Sequence, residues 1–313
     1  MQNRIEYIDI AKGLGIILVI IGHCTKTGIF INNWIYSFHM PLFFFISGLC
    51  FNNIKYADNN YFIIQRTKTL LIPCIYLSIL IYFISFSLNI YPPTDYPPDA
   101  LWFVFILYLS ECFYFFINKY LKNNIIKLSI IFLMLFIGLI LNIKRIVLPF
   151  CLCSIFPAVF YYGIGNLFKD AFHYYIKKIQ LNIYIILLLF LPSVCLCFFG
   201  QTINLKENYI PSPEILFVII SFISIFAFLS ISTSINNIKG FFLKFKNAIL
   251  FLGKNTLIIL ALHMLFINLS LLFIKPFFEI HILYKLVEQL FIWSLLYLSI
   301  LLINKKCKWL IGK

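Results

Sequence analysis

The sequence predicts an all-α integral membrane protein, a polytopic bundle of about ten transmembrane helices. Three observations predict it. Of 313 residues, 62% are hydrophobic and 12% charged, with a mean hydropathy of +0.97. A soluble domain is nearer half apolar and a quarter charged. The apolar residues fall in long unbroken runs, which give helices, whereas barrel strands alternate. Third, the basic residues alternate from loop to loop, as the positive-inside rule requires of a multi-pass chain.

A crossing helix needs about 20 apolar residues to cover about 30 Å of hydrocarbon. In chain order the candidate spans are 8–30, 35–52, 68–90, 101–118, 125–142, 146–168, 181–200, 214–235, 247–274 and 281–303. The first lacks a small-x-small cleavage site and runs too long for a signal peptide, so it is expected to stay as a membrane helix. The second is the shortest and contains Pro41. The third starts beside Arg66 and Lys68, and the loop after it, YPPTDYPPDA, holds two aspartates and no Lys or Arg. The fourth carries Glu111 midway through LWFVFILYLSECFYFF. The fifth to eighth are placed by their apolar runs. The ninth is long, with His263 mid-helix, Asn255 two turns earlier, and a tilt or break expected near Lys275-Pro276. The tenth leads into a lysine-rich end.

With the N-terminus in the cytoplasm, 19 of the 25 basic residues fall in inner segments. Lys26, Lys144, Arg145, Lys206, Lys275 and Lys285 fall outside. An even number of crossings puts both termini inside. The net charge of +14 is thus dispersed by topology and forms no stripe, which excludes a nucleic-acid surface. A single transmembrane domain over 1–313 is expected, with no appended soluble domain and no internal repeat. The nine cysteines lie mostly within apolar spans, and neither C-x-C pair has a second pair or a histidine at ligand spacing. They read as small core residues, and no metal is expected.

Chemistry is expected where ionisable groups sit at membrane depth, because such groups are costly and face a bundle interior or a cavity. His23 ends AKGLGIILVIIGHC, and His39 opens the next apolar stretch. At about 100° per residue, Lys12 lies about −60° and His23 about −40° from Asp9 around the helix, so the three share one face. Lys12 and His23 are about 16 Å apart along the axis. A short connection through Asn32, Asn33 and Trp34 returns the second helix beside the first, with Ser37, His39 and Pro41 at its start. Gly48, deeper in the second helix, suits close helix approach. Glu111 and His263 fit either a satisfied packing residue or a functional one. Arg66 and Lys68, at the inner mouth of the third helix, suit phosphates or simply follow the positive-inside rule.

At these residues the chain resembles the membrane-bound acyltransferase family 3, especially its branch like the fucose 4-O-acetylases. The matching stretches are YIDIAKGLGIILVIIGH, SFHMPLFFFISGLCF, RTKTLLIPC, LWFVFILYLSE, YYGIGNLF and LGKNTLIILALH, in family order over most of the chain. The resemblance implies transfer of an acyl group, usually acetyl, from cytoplasmic acyl-CoA to a hydroxyl of a glycan or similar acceptor in a bacterial envelope. His23 matches the family's first-helix histidine. Lys12 stands where many members have arginine, and Arg66 matches the first arginine of the family's pair. The second is Thr69 here, with Lys68 beside it.

The combined reading is a multi-pass O-acetyltransferase of the bacterial cytoplasmic membrane with acetyl-CoA as donor substrate and no bound cofactor. Arg66, Lys68 and Lys12 hold the anionic donor, and the acceptor enters near His39 and Trp102. His23 acts as general base or carries a transient acyl group, and the sequence leaves both routes open. The rival reading is a transporter or flippase for a glycan or lipid-linked sugar, which also needs polar residues near the midplane.

Overall fold

A computed structural model describes residues 5–24, 29–52, 58–90, 99–178, 183–197, 203–278 and 281–312. Among them the chain is a helical bundle whose strand-like pairing is limited to one bridge, Asn204 to Tyr209. Fourteen α-helices follow in chain order. They are α1 (Glu6–Cys24), α2 (Ile29–Tyr36), α3 (His39–Cys50), α4 (Asn59–Arg66), α5 (Ile72–Ser87), α6 (Trp102–Tyr120) and α7 (Asn124–Ile143). Then come α8 (Ile155–Leu167), α9 (Lys169–Lys178), α10 (Ile183–Cys197), α11 (Glu214–Asn236), α12 (Leu243–Lys254), α13 (Thr256–Phe273) and α14 (His281–Lys306).

Among the described residues, eight helical stretches are long and apolar enough to cross a membrane. They cover eight of the ten predicted spans. The other two, 35–52 and 181–200, are occupied by the shorter helices α3 and α10. Twelve helical residues rise only about 18 Å, so α3 alone does not cover the hydrocarbon. The predicted first span also ends early. α1 stops at Cys24, residues 25–28 lie outside the described residues, and the expected Asn32-Asn33-Trp34 connection is helical as α2. α4 and α5 form one continuous rod through a π-helical turn over Thr67–Leu71, nine residues ahead of the predicted start. The predicted ninth span gives way at Phe273 to a 3-10 turn over Lys275–Phe277, as expected near Lys275-Pro276, but it also breaks at Asn255, which was not expected. There Asn255 donates from Nδ2 to the Phe251 carbonyl and accepts from Asn304 Nδ2, at 2.8 and 2.7 Å. Its amide satisfies backbone and side-chain groups that a helix break would otherwise leave bare in lipid.

Two close helix contacts hold the site's walls together. A Cβ added to Gly253 of α12 would stand 1.8 Å from the Asp9 carbonyl oxygen of α1, and one added to Gly48 of α3 would stand 2.0 Å from that of Tyr162 in α8. Only glycine allows backbones this close, as in small-residue membrane interfaces. α3 is thereby pinned against α8.

Candidate functional site

Four helices, α1, α3, α6 and α13, line two cavities placed end to end. On α1 the lining residues are Lys12, Ile16, Val19 and His23, spaced by four, three and four residues, one face of a helix. The first cavity, about 220 Å³, lies at the Lys12 end and is also lined by Ser47, Cys50, Arg66, Leu107 and Glu111. The second, about 300 Å³, lies at the His23 end with Tyr36, His39, Trp102 and Met264. α3 and α6 run opposite to α1, so each delivers its first residue to the His23 end and its later polar residue to the Lys12 end.

At the Lys12 end, Arg66 Nε lies 2.8 Å from Glu111 Oε2, joining α4 to α6. The Glu111 side chain is 4% exposed and that of Arg66 19%. Glu111 is therefore the anion facing the arginine that was expected to meet phosphate. Lys12 Nζ donates to Cys50 Sγ at 3.7 Å and faces the same cavity. Asp9, one turn before Lys12, lies outside both cavity linings and is 4% exposed, with its backbone against Gly253. Lys68 is exposed in the π-helical turn outside the cavity linings, and Thr69 donates its hydroxyl to the Gln65 carbonyl.

At the other end three imidazoles and one phenol form a connected cluster. The Tyr36 hydroxyl lies 3.4 Å from His23 Nδ1, and the Tyr36 and His39 rings are 4.8 Å apart in an edge-on contact. The His263 ring centroid is 5.3 Å from that of His23. His39 and His263 are oriented alike. His39 Nδ1–H donates to the Ile35 carbonyl at 2.9 Å, and His263 Nδ1–H to those of Ile259 and Leu260 at 3.1 and 2.9 Å. Each neutral ring then presents Nε2 as an acceptor. For His263 that nitrogen is buried with no hydrogen-bond partner among the described residues. A buried acceptor left bare costs about 1–3 kcal/mol, and this ring lies beside that of His23, which lines the cavity.

The rim of the second cavity is lined by Trp102 with Asn204, Lys206 and Glu207. This short loop is anchored from several directions. Ser154 donates to the Leu205 and Lys206 carbonyls, and Asn208 Nδ2 to that of Gly138 at 2.8 Å. An aromatic face ringed by carboxylate, amide and amine groups can bind a polyhydroxylated ring by stacking and hydrogen bonds.

The structure thus brings together His23, His39, His263 and Trp102 at one end and Lys12, Arg66 and Glu111 at the other. Ser37 donates to the Trp34 carbonyl at 2.7 Å and shapes the α2–α3 turn, and Asn255 secures the α12–α13 break. Sequence reasoning missed Tyr36, Cys50, the 204–207 rim and Glu288. Glu288 is 1% exposed in α14, its Oε1 accepting from Tyr284 and Ser270 at 2.8 and 3.1 Å. The signal used for Glu111, a lone acid in an apolar run, would have found it. Among the described residues no group of three His, Cys, Asp or Glu side chains could hold a metal.

A protein-family model described as an acyltransferase domain matches residues 5–304. No curated protein and no solved structure matches the chain.

Proposed function

The chain belongs to the acyltransferase family whose domain covers residues 5–304, and from that membership we propose a membrane O-acetyltransferase acting on an envelope or exported glycan. The observation that carries this reading is the pair of cavities along one face of α1, with cations at one end and His23 at the other. The Lys12 end faces the cytoplasm, in keeping with the basic-residue distribution, and receives acetyl-CoA. Arg66 and Lys12 meet the anionic part of the donor, with Glu111 holding the guanidinium in place until phosphate arrives. The pantetheine arm extends along Ile16 and Val19 toward His23.

The acceptor sugar enters at the rim of Trp102, Asn204 and Glu207. His23 takes the proton of its hydroxyl, the oxygen forms an ester bond with the acyl carbon, and the carbon–sulfur bond breaks. The histidinium then returns its proton to the departing CoA thiolate. The Tyr36 hydroxyl, 3.4 Å from His23 Nδ1, orients the His23 ring and stabilises its charge during transfer, beside the His263 ring. A sugar hydroxyl as acceptor rests on the resemblance of the quoted sequence stretches to fucose 4-O-acetylases, and family membership favours group transfer over the transporter reading.

Membranes containing the protein, incubated with radiolabelled acetyl-CoA, are expected to yield alkali-labile label on glycan. Membranes lacking it should yield none, and equal labelling of both would remove the reading. The topology carries its own expectation. Reporter fusions after Pro93, which lies outside the described residues, and after Lys308 should report the outer and inner face respectively. The same side for both would overturn the assignment of the Lys12 end to the cytoplasm.

A further inference from the structure

Among the described residues, Leu260 alone lines both cavities. It sits on α13 between Leu257, which faces the Lys12 cavity, and Met264, which faces the His23 cavity. Around it the lining is apolar from every helix. Ile16 and Val19 come from α1, Phe43 and Met40 from α3, and Phe103 from α6. The leucine is 5% exposed, and its carbonyl accepts the Nδ1–H of His263 at 2.9 Å, which fixes this turn beside the catalytic histidine. An apolar waist between two cavities excludes water, as hydrophobic constrictions do in channels.

We infer that Leu260 is the septum an incoming acyl group must pass, and that it selects a short acyl chain. This rests on the transferase reading above. The cations and the histidine lie in different cavities, so the thioester carbon reaches His23 only by passing the waist, acyl end first. A chain of two carbons displaces one leucine side chain slightly, whereas each further methylene must fit past Leu260 among the apolar residues of the same lining, Ile16 and Phe103 among them. One methylene too many in an apolar slot typically changes selectivity by about 10–200-fold. Leu260 touches the passing substrate and takes no proton, so it determines specificity without doing chemistry.

The test offers radiolabelled acetyl-, propionyl-, butyryl- and hexanoyl-CoA separately to native membranes at matched protein abundance. Label on glycan and free CoA thiol are both measured. Leu260→Ala is expected to raise the butyryl-to-acetyl ratio at least about tenfold while the KM for acetyl-CoA, set at the cationic end, stays put. Leu260→Phe is expected to lower kcat for acetyl. Leu271→Ala, which is 44% exposed on the outside of α13 and lines neither cavity, should keep the wild-type profile. An unchanged chain-length profile in Leu260→Ala, or full acetyl transfer by Leu260→Phe, overturns the septum while leaving the transferase standing. A wild type that transfers none of the four groups overturns both.

Discussion

Replacing His23 by alanine is expected to abolish acyl transfer while the protein still inserts at wild-type abundance. Loss of a general base typically costs about 10²–10⁴-fold in rate, and loss of a covalent carrier costs more. Insertion survives because a methyl group is easier to place in an apolar helix than an imidazole. His23 is also the exposed member of the three-histidine group, so alanine there opens onto the cavity instead of emptying the core. His39→Ala is a harsher change for the fold, since His39 is 4% exposed and bonds the Ile35 carbonyl. Transfer by wild type, His23→Ala and His39→Ala, compared at equal membrane abundance, separates the two roles. Near-normal transfer by His23→Ala would remove its catalytic role.

Arg66→Ala is expected to have the second-largest effect, and a mixed one. The apparent KM for acyl-CoA should rise at least about tenfold, the cost of losing one charge-assisted phosphate contact. Membrane abundance should fall as well. Glu111 would remain buried without its cation, and breaking such a pair typically costs about 3–5 kcal/mol. The double variant Arg66→Ala, Glu111→Gln removes the stranded charge. It should restore abundance and leave the KM high. Recovery of both by the double variant would make Arg66 a structural partner of Glu111 and nothing more.

This pairing marks the limit of what the sequence could tell. Lys12 and His23 were placed on one face by helical periodicity, because both lie on one uninterrupted helix and 3.6 residues per turn decides the matter. Arg66 and Glu111 lie on separate helices, and nothing within either apolar run says which face turns toward the other. The same blindness hid Tyr36, which gains meaning only once α2 folds back beside the end of α1. Periodicity also could not locate the break at Asn255, since the apolar runs on its two sides read as one span. The second span was legible as the shortest, but not where its helix starts and stops, because its residues are as apolar as those of a crossing helix. What shortens it is the turn at Ser37 and the extended backbone after Cys50, both local events. Polar residues were thus found by their cost in lipid, whereas their partners had to be found by folding.

On this reading donor and acceptor meet at His23 from opposite faces of the membrane. Sealed inside-out native vesicles, given membrane-impermeant radiolabelled acetyl-CoA on the outside, put that to the test. The label is predicted to appear as alkali-labile ester on glycan protected in the lumen. It should be absent from sealed right-side-out vesicles and from either kind carrying His23→Ala. Label on glycan exposed to the donor's own side, or equal labelling in both vesicle orientations, would contradict transfer through the two cavities.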